Sequence, residues 1–282
     1  MVVEDIVMIE KKIALTGASG FVGQEIQKHF RECVVIKRDD SEAEIIRKLE
    51  SVDVVISLAG APIVKRWSEA YKKALYRSRI ETTKRLVSAI NRSNVSYFIS
   101  TSVIGIYPNC TPCDEKCTQL DSDFLGTLCQ AWEVEARKCV KPTAILRFGV
   151  VLGKEGGALK KMLLPFKLGM GGTISSGEMM LSWIALSDLI CMYQFLVQHR
   201  YGGIFNAVTS KPVSNKVFTK SLGKALKRPT FLPLPEFVLK LFYGEGASIL
   251  LDSKEVYPKA IEEKGFVFEY EEIDRLLTSH NI

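Results

Sequence analysis

The stretch KKIALTGASGFVGQEI, residues 11–26, constrains this chain more than any other. A short apolar run predicts a strand over Lys12–Thr16, and the amphipathic pattern from Gly20 to Phe30 predicts a helix. Between them stand Gly17, Gly20 and Gly23 at three-residue spacing. In a strand–turn–helix unit this spacing has a specific physical use. The first glycine permits the tight turn, the second lets backbone approach a diphosphate, and the third allows the helix to pack closely on the strand. Amides at the start of the helix then face the phosphates. The turn therefore predicts a dinucleotide site near the N-terminus of an α/β domain.

The rest of the first half agrees with that start. Strands are expected at Cys33–Lys37, Val52–Leu58, Tyr97–Ser102 and Thr143–Phe148. Helices are expected at Ala43–Leu49, Ser68–Asn91 and Phe124–Lys138, the alternation of parallel βαβ units. In the longest helix Leu75, Arg79, Thr82, Leu86 and Ile90 recur at helical spacing. Only about fourteen residues separate Lys37 from Val52, too few for a helix and a further strand, so the usual third strand should be short or missing. After Gly153 the texture changes to glycine-rich loops around a short amphipathic stretch, followed by helices Leu186–His199 and Asn215–Leu226. The expected architecture is α/β, a Rossmann-like doubly wound parallel sheet with a smaller C-terminal substrate lobe. Residues 1–152 would form the nucleotide domain and 153–282 the lobe, some of whose elements return to the sheet.

The second strand ends Val34-Val35-Ile36-Lys37-Arg38. A dinucleotide with free ribose hydroxyls is usually held here by an acid, whereas a cation suits a 2′-phosphate. Asp39 and Asp40 follow one step late. Lys37 and Arg38 thus point to NADP(H) as the cofactor.

Composition excludes other classes. The 38 basic and 32 acidic residues give a net charge of +6, and the cations are scattered, so nucleic acid is not an expected partner. No apolar run reaches the roughly 18 residues needed to cross a bilayer, so a membrane is not expected as a partner. The opening MVVEDIVMIE has no basic segment before its apolar residues, unlike a secretory signal, and Met8 is a possible alternative start. The odd count of 7 cysteines argues for reduced thiols and a cytoplasmic location. Cys110, Cys113 and Cys117 cluster without an obvious fourth ligand, and His29, His199 and His280 lie far off in sequence. No metal site is assigned, and the three read as solvent-facing loop thiols.

The passages VISLAGAPIVKRWSEAYKKALYRSRIETTKRLV, GVVLGKEGGALKKMLLPFKLGMGG, LSWIALSDLI and FNAVTSKPVSNKVFTKSLGKAL resemble the extended short-chain dehydrogenase/reductase group. Within it they resemble the YfcH-type, epimerase-like branch of the NAD-dependent epimerase/dehydratase family. The resemblance implies an NADP-binding domain with a C-terminal region over a substrate cleft, the substrate being a small molecule such as a nucleotide sugar. It maps cofactor contacts onto Gly17, Ser19, Gly20, Phe21, Val22, Gly23, Lys37, Arg38, Leu58, Ala59, Gly60, Arg79, Val150 and Val151. Many relatives carry a His where this chain has Ala185.

The same resemblance exposes a departure. Most of the superfamily carries Tyr-x-x-x-Lys on one helix face, where the lysine lowers the pKa of a proton-transferring phenol. Leu125 and Cys129 occupy those positions here, and none of the nine tyrosines has a lysine four residues on. Substitute catalytic candidates are Ser102, where the family's catalytic Ser or Thr stands, and Tyr107 in the next loop. Asp114 and Glu115 read more readily as solvated acids. Two functions are therefore expected: an oxidoreductase or epimerase-like enzyme working without the pair, or a non-catalytic NADP(H)-binding sensor or regulator. Lys160, Lys161 and Lys167 are candidates for holding an anionic substrate, but their spacing favours a solvated helix face. Trp183 is equally consistent with cleft wall and core.

Overall fold

The computed structural model describes residues 11–279; Met8 and His280, singled out above, lie outside the described residues. The chain opens with β1 (Ile13–Thr16), α1 (Phe21–His29), β2 (Cys33–Ile36), α2 (Glu42–Lys48) and β3 (Val54–Ser57). Next come α3 (Glu69–Tyr76), α4 (Thr82–Asn91), β4 (Tyr97–Val103), α5 (Phe124–Ala136) and β5 (Thr143–Phe148). These strands lie parallel in the order β2-β1-β3-β4-β5-β9, the last being β9 (Gly203–Ala207), which returns from the C-terminal half. β2 is an edge strand, as the short span between Lys37 and Val52 requires. The sheet order reverses between β1 and β3, the topological switch point where open α/β sheets bind ligands.

Alternation along the strands divides the core into two layers. Ile13, Leu15, Val54, Ile56 and Leu146 pack with Ile26 of α1 and with Leu189, Met192 and Tyr193 of a later helix. Ala14, Val55, Phe98 and Ile145 face the other side, against Ile45, Leu86, Ile90 and Ala136 of α2, α4 and α5. β1, IALT, is buried at every position, as a central parallel strand must be.

The lobe is formed by β6 (Val150–Gly153), α6 (Gly157–Lys167), β7 (Met180–Leu181), β8 (Trp183–Ala185), β10 (Val213–Ser214) and α8 (Asn215–Leu226). α7 (Leu186–His199) leaves the lobe and packs on the sheet. Both α7 and α8 have the bounds that periodicity predicts. Leu159, Leu163 and Phe166 bury one face of α6 while Lys160, Lys161 and Lys167 remain exposed, the arrangement of a solvated helix. Trp183 is fully buried in this second core.

The expected single helix Ser68–Asn91 is interrupted. Arg77–Glu81 forms a π-helical segment between α3 and α4, and it buries Arg79 and Ile80. Periodicity cannot distinguish such a segment from regular helix, because it inserts a register shift without changing composition. The cysteine loop also differs from expectation. Cys113 is buried, with its amide on Glu255 O and its carbonyl accepting from Tyr257 N, while Cys110 is exposed. The backbone bonds of a late segment draw that loop inward.

Candidate functional site

At the end of β1 the backbone turns sharply at Gly17, whose φ of 71° lies in the left-handed region. A Cβ there would also come within 2.9 Å of the Leu58 carbonyl carbon, so the site admits no side chain. At Gly23 a Cβ would lie 2.3 Å from Gly17 O, the close helix approach that the third glycine permits. Gly20 N donates to Gly17 O at 2.9 Å. Gly20 itself caps α1 without a side chain, and the first turn of the helix has no acidic residue. The N-terminal amides therefore keep their positive potential.

Beside this turn lies a cavity of about 580 Å³, within the usual range for small-molecule sites. Its wall includes Gly17, Ser19, Gly20, Lys37, Arg38, Leu58, Ala59 and Gly60 from the sequence-derived set. The sequence reading missed Thr16, Ser78, Thr82 and Arg85, which also line it. Thr16 Oγ1 accepts from Leu58 N and Ala59 N, both at 3.1 Å, and ties the end of β3 to the glycine turn. Ser78 Oγ accepts from Ala61 N at 3.0 Å.

Phe21, Val22, Gly23, Arg79, Val150 and Val151, also in the sequence-derived set, are not brought onto that wall. The Phe21 ring packs on Gly153, Gly156 and Gly157; a Cβ at Gly156 would meet it at 2.3 Å. It joins the turn to the lobe. Val22 and Val151 pack against the main core, and Val150 against the core of the lobe. Gly23 seats the helix. Arg79 forms no ion pair among the described residues. It donates to Ala61 O at 3.0 Å and lies over the Trp132 ring at 5.3 Å, bracing the segment after β3 from beneath. Burial pulls its guanidinium below the ordinary value.

The exit of β2 decides the electrostatics. Asp40 is turned inward, accepting from Lys37 N at 2.7 Å and from the Lys48 ammonium. Burial opposes its charge, but these two bonds outweigh it and hold the carboxyl below the ordinary range. Lys37 and Arg38 are exposed, and neither forms a salt bridge among the described residues. Asp39 lines the cavity beside them.

The proton-transfer end is built differently. Leu125 is buried against Gly105, where a Cβ would lie 2.4 Å from Leu125 Cδ2. The Cys129 thiol is buried, which pushes its pKa up to about 12. Tyr107 is also buried. Its hydroxyl donates to Asn206 Oδ1 at 2.9 Å and accepts from Arg147 Nη1 at 2.7 Å. Arg147 in turn holds Glu133 through two bonds, Nε to Oε1 at 2.7 Å and Nη2 to Oε2 at 2.8 Å. Burial, partly countered by Arg147, raises the phenol to about 12. The phenol is thus engaged at both its proton and a lone pair, and burial disfavours its ionisation. Ser102 is buried at the end of β4, and its hydroxyl has no hydrogen-bond partner among the described residues. Glu115, expected to be solvated, is half-buried and accepts from Asn206 N and Ala260 N; burial raises its carboxyl despite those bonds.

A parallel sheet with a glycine turn at its switch point defines a Rossmann-type protein. Residues 13–207 match the model of the "NAD dependent epimerase/dehydratase family", and residues 234–279 match a "domain of unknown function". Among curated relatives, the chain is 34% identical to "Epimerase family protein SDR39U1 homolog, chloroplastic" of Arabidopsis thaliana, covering 92% of this chain and 83% of that protein. It is 32% identical to "Epimerase family protein MT2273" of Mycobacterium tuberculosis, covering 96% and 97%. The solved structure of human epimerase family protein SDR39U1 with NADPH superposes with a TM-score of 0.88 at 30% identity, over 95% of this chain and 98% of that one. The chain belongs to the NAD-dependent epimerase/dehydratase family.

Proposed function

We propose that the chain binds NADP(H) in the cavity at the β1–β3 switch point and acts as a coenzyme-binding protein whose proton-transfer position is closed. The observation that carries this reading is the contrast between the two ends of the site. Gly17, Ser19 and Gly20 would cradle the diphosphate, Leu58–Gly60 would border it, and Lys37 and Arg38 would hold a 2′-phosphate. These residues fit the group, since the turn excludes side chains where backbone must approach and Asp40 is withdrawn from the ribose. Bound NADP(H) would supply hydride chemistry. Among the described residues, however, Leu125, Cys129 and Tyr107 offer no exposed acid in the place of the superfamily's phenol and amine. The human relative solved with NADPH supports the choice of coenzyme.

The unpartnered Ser102 hydroxyl supports a second reading, an oxidoreductase or nucleotide-sugar epimerase-like enzyme that orients a substrate oxygen through that serine. We place the protein in the cytoplasm, a reducing compartment, because all its cysteines are free thiols. The test is a fluorescence titration with NADPH and NADH, followed by absorbance at the reduced-nicotinamide band with carbonyl and nucleotide-sugar substrates. The first reading expects saturable binding with NADPH preferred and no oxidation across the panel. Oxidation abolished by Ser102→Ala would establish the second, and failure to bind either coenzyme would overturn both.

A further inference from the structure

Arg85 is not among the cofactor contacts that the resemblance maps, yet it reaches the cavity from α4. Ser78, Thr82 and Arg85 follow one another at helical spacing and all line the cavity. Arg85 Nη2 donates to Arg38 O at 2.8 Å, joining two residues 47 apart in sequence. Its Nε has no partner among the described residues. The side chain is half-buried, lines the cavity and spends only one of its N–H donors on that carbonyl, so a guanidinium with donors to spare stands at the cavity wall. A guanidinium presents parallel N–H groups that match phosphate oxygens.

The surrounding acids do not neutralise it. Asp40 is engaged by Lys48 and Lys37 N, and Glu42 accepts from Ser88 and Arg92. Asp39 is the one acid on the cavity wall, against Lys37, Arg38 and Arg85.

We propose that Arg85 is a third cation of the 2′-phosphate subsite, selecting the phosphorylated ribose while its other nitrogen fixes the loop that carries Lys37 and Arg38. This rests on the reading of the cavity as an NADP(H) site. It assigns coenzyme specificity to a helix far in sequence from the glycine turn.

The experiment is isothermal titration of the full chain and of Arg85→Ala and Arg85→Lys with 2′,5′-ADP and 5′-AMP, with NADPH as reference. Only the first nucleotide carries the 2′-phosphate. Arg85→Ala is expected to weaken 2′,5′-ADP by about tenfold or more, the loss of one charge-assisted contact, and to leave 5′-AMP within about twofold. Arg85→Lys, which keeps the charge and preserves the fold if the alanine variant fails, is expected to recover part of that loss. Equal weakening of both nucleotides would reduce Arg85 to an adenosine-side support, and no change in either would remove it from the site; both overturn the proposal. If the unaltered chain binds 2′,5′-ADP and NADPH, the coenzyme reading stands whatever the variants do. If it binds neither, that reading falls first, and Arg85 with it.

Discussion

Replacing Tyr107 by Phe separates a catalytic phenol from a structural one. The hydroxyl is the partner of Asn206 Oδ1 at 2.9 Å and of Arg147 Nη1 at 2.7 Å, and the ring is fully buried beneath the Arg147 guanidinium. Removing it strands one neutral acceptor and one arm of a cation. An unsatisfied buried group costs roughly 1–3 kcal/mol, and more when charged. Arg147 keeps both bonds to Glu133, which holds its share toward the lower end, so the total is about 2–4 kcal/mol. At roughly 2–4 °C per kcal/mol for a chain of this size class, the melting midpoint falls by about 4–16 °C. Calorimetry and urea unfolding measure the loss, and NADPH titration at a temperature where the variant is folded measures the site. Affinity is expected to be unchanged. A variant as stable as the parent, or one that keeps its stability but loses an activity, would refute the structural assignment.

Other consequences follow from the same coordinates. Gly23→Ala places a methyl carbon 2.3 Å from Gly17 O, so the turn must shift; overpacking of about 1–3 kcal/mol and a loss of coenzyme binding beyond about tenfold are expected in a titration. Cys110, exposed, is expected to react with a maleimide in the native protein, whereas Cys129, with its thiol raised to about 12, reacts only after unfolding; peptide mapping of labelled protein distinguishes them. Because the Asp40 carboxyl is depressed, its stabilising contribution is present above the unfolded carboxylate value and is lost as pH falls through the folded value. Asp40→Asn should flatten the acid limb of a stability profile, and an unaltered limb would show that the carboxyl does not anchor the Lys37–Arg38 loop.

The glycine turn was legible because it is local: three residues, one strand and one helix define it. The missing outer strand was legible by counting, since the chain between β2 and β3 is too short to supply it. What escaped the sequence is held by contacts that no short window contains. Tyr107 meets Arg147 and Asn206 across separations of 40 and 99 residues. Arg85 meets Arg38 across 47. Asp39 and Asp40 look alike in sequence, and the bonds that Asp40 accepts from Lys37 N and from Lys48 at the end of α2 distinguish the one that turns inward. The π-helical segment around Arg79 shifts the register without changing the residue types that suggested regular helix, and so leaves no mark in composition.

The two ends of the site differ in where their charges find partners, and this difference makes opposite predictions for stability and binding. Around Tyr107 the chain satisfies itself: Arg147 with Glu133, Lys254 with Asp121 and with the Tyr107 carbonyl. Around the glycine turn Lys37, Arg38 and Arg85 share one cavity, and none of them forms a salt bridge among the described residues, an arrangement that repels until an anion enters. Lys37→Ala in the ligand-free protein should therefore change stability by no more than about 0.5 kcal/mol, as exposed substitutions do, while weakening NADPH by about tenfold. Glu133→Ala leaves a buried guanidinium without its carboxylate and should cost about 3–5 kcal/mol with little change in coenzyme affinity. Paired melting curves and titrations of the two variants measure both quantities. Should Lys37→Ala destabilise the free protein as much as Glu133→Ala, the cations at the β2 exit serve the fold, and the cavity has no claim to a phosphorylated ligand.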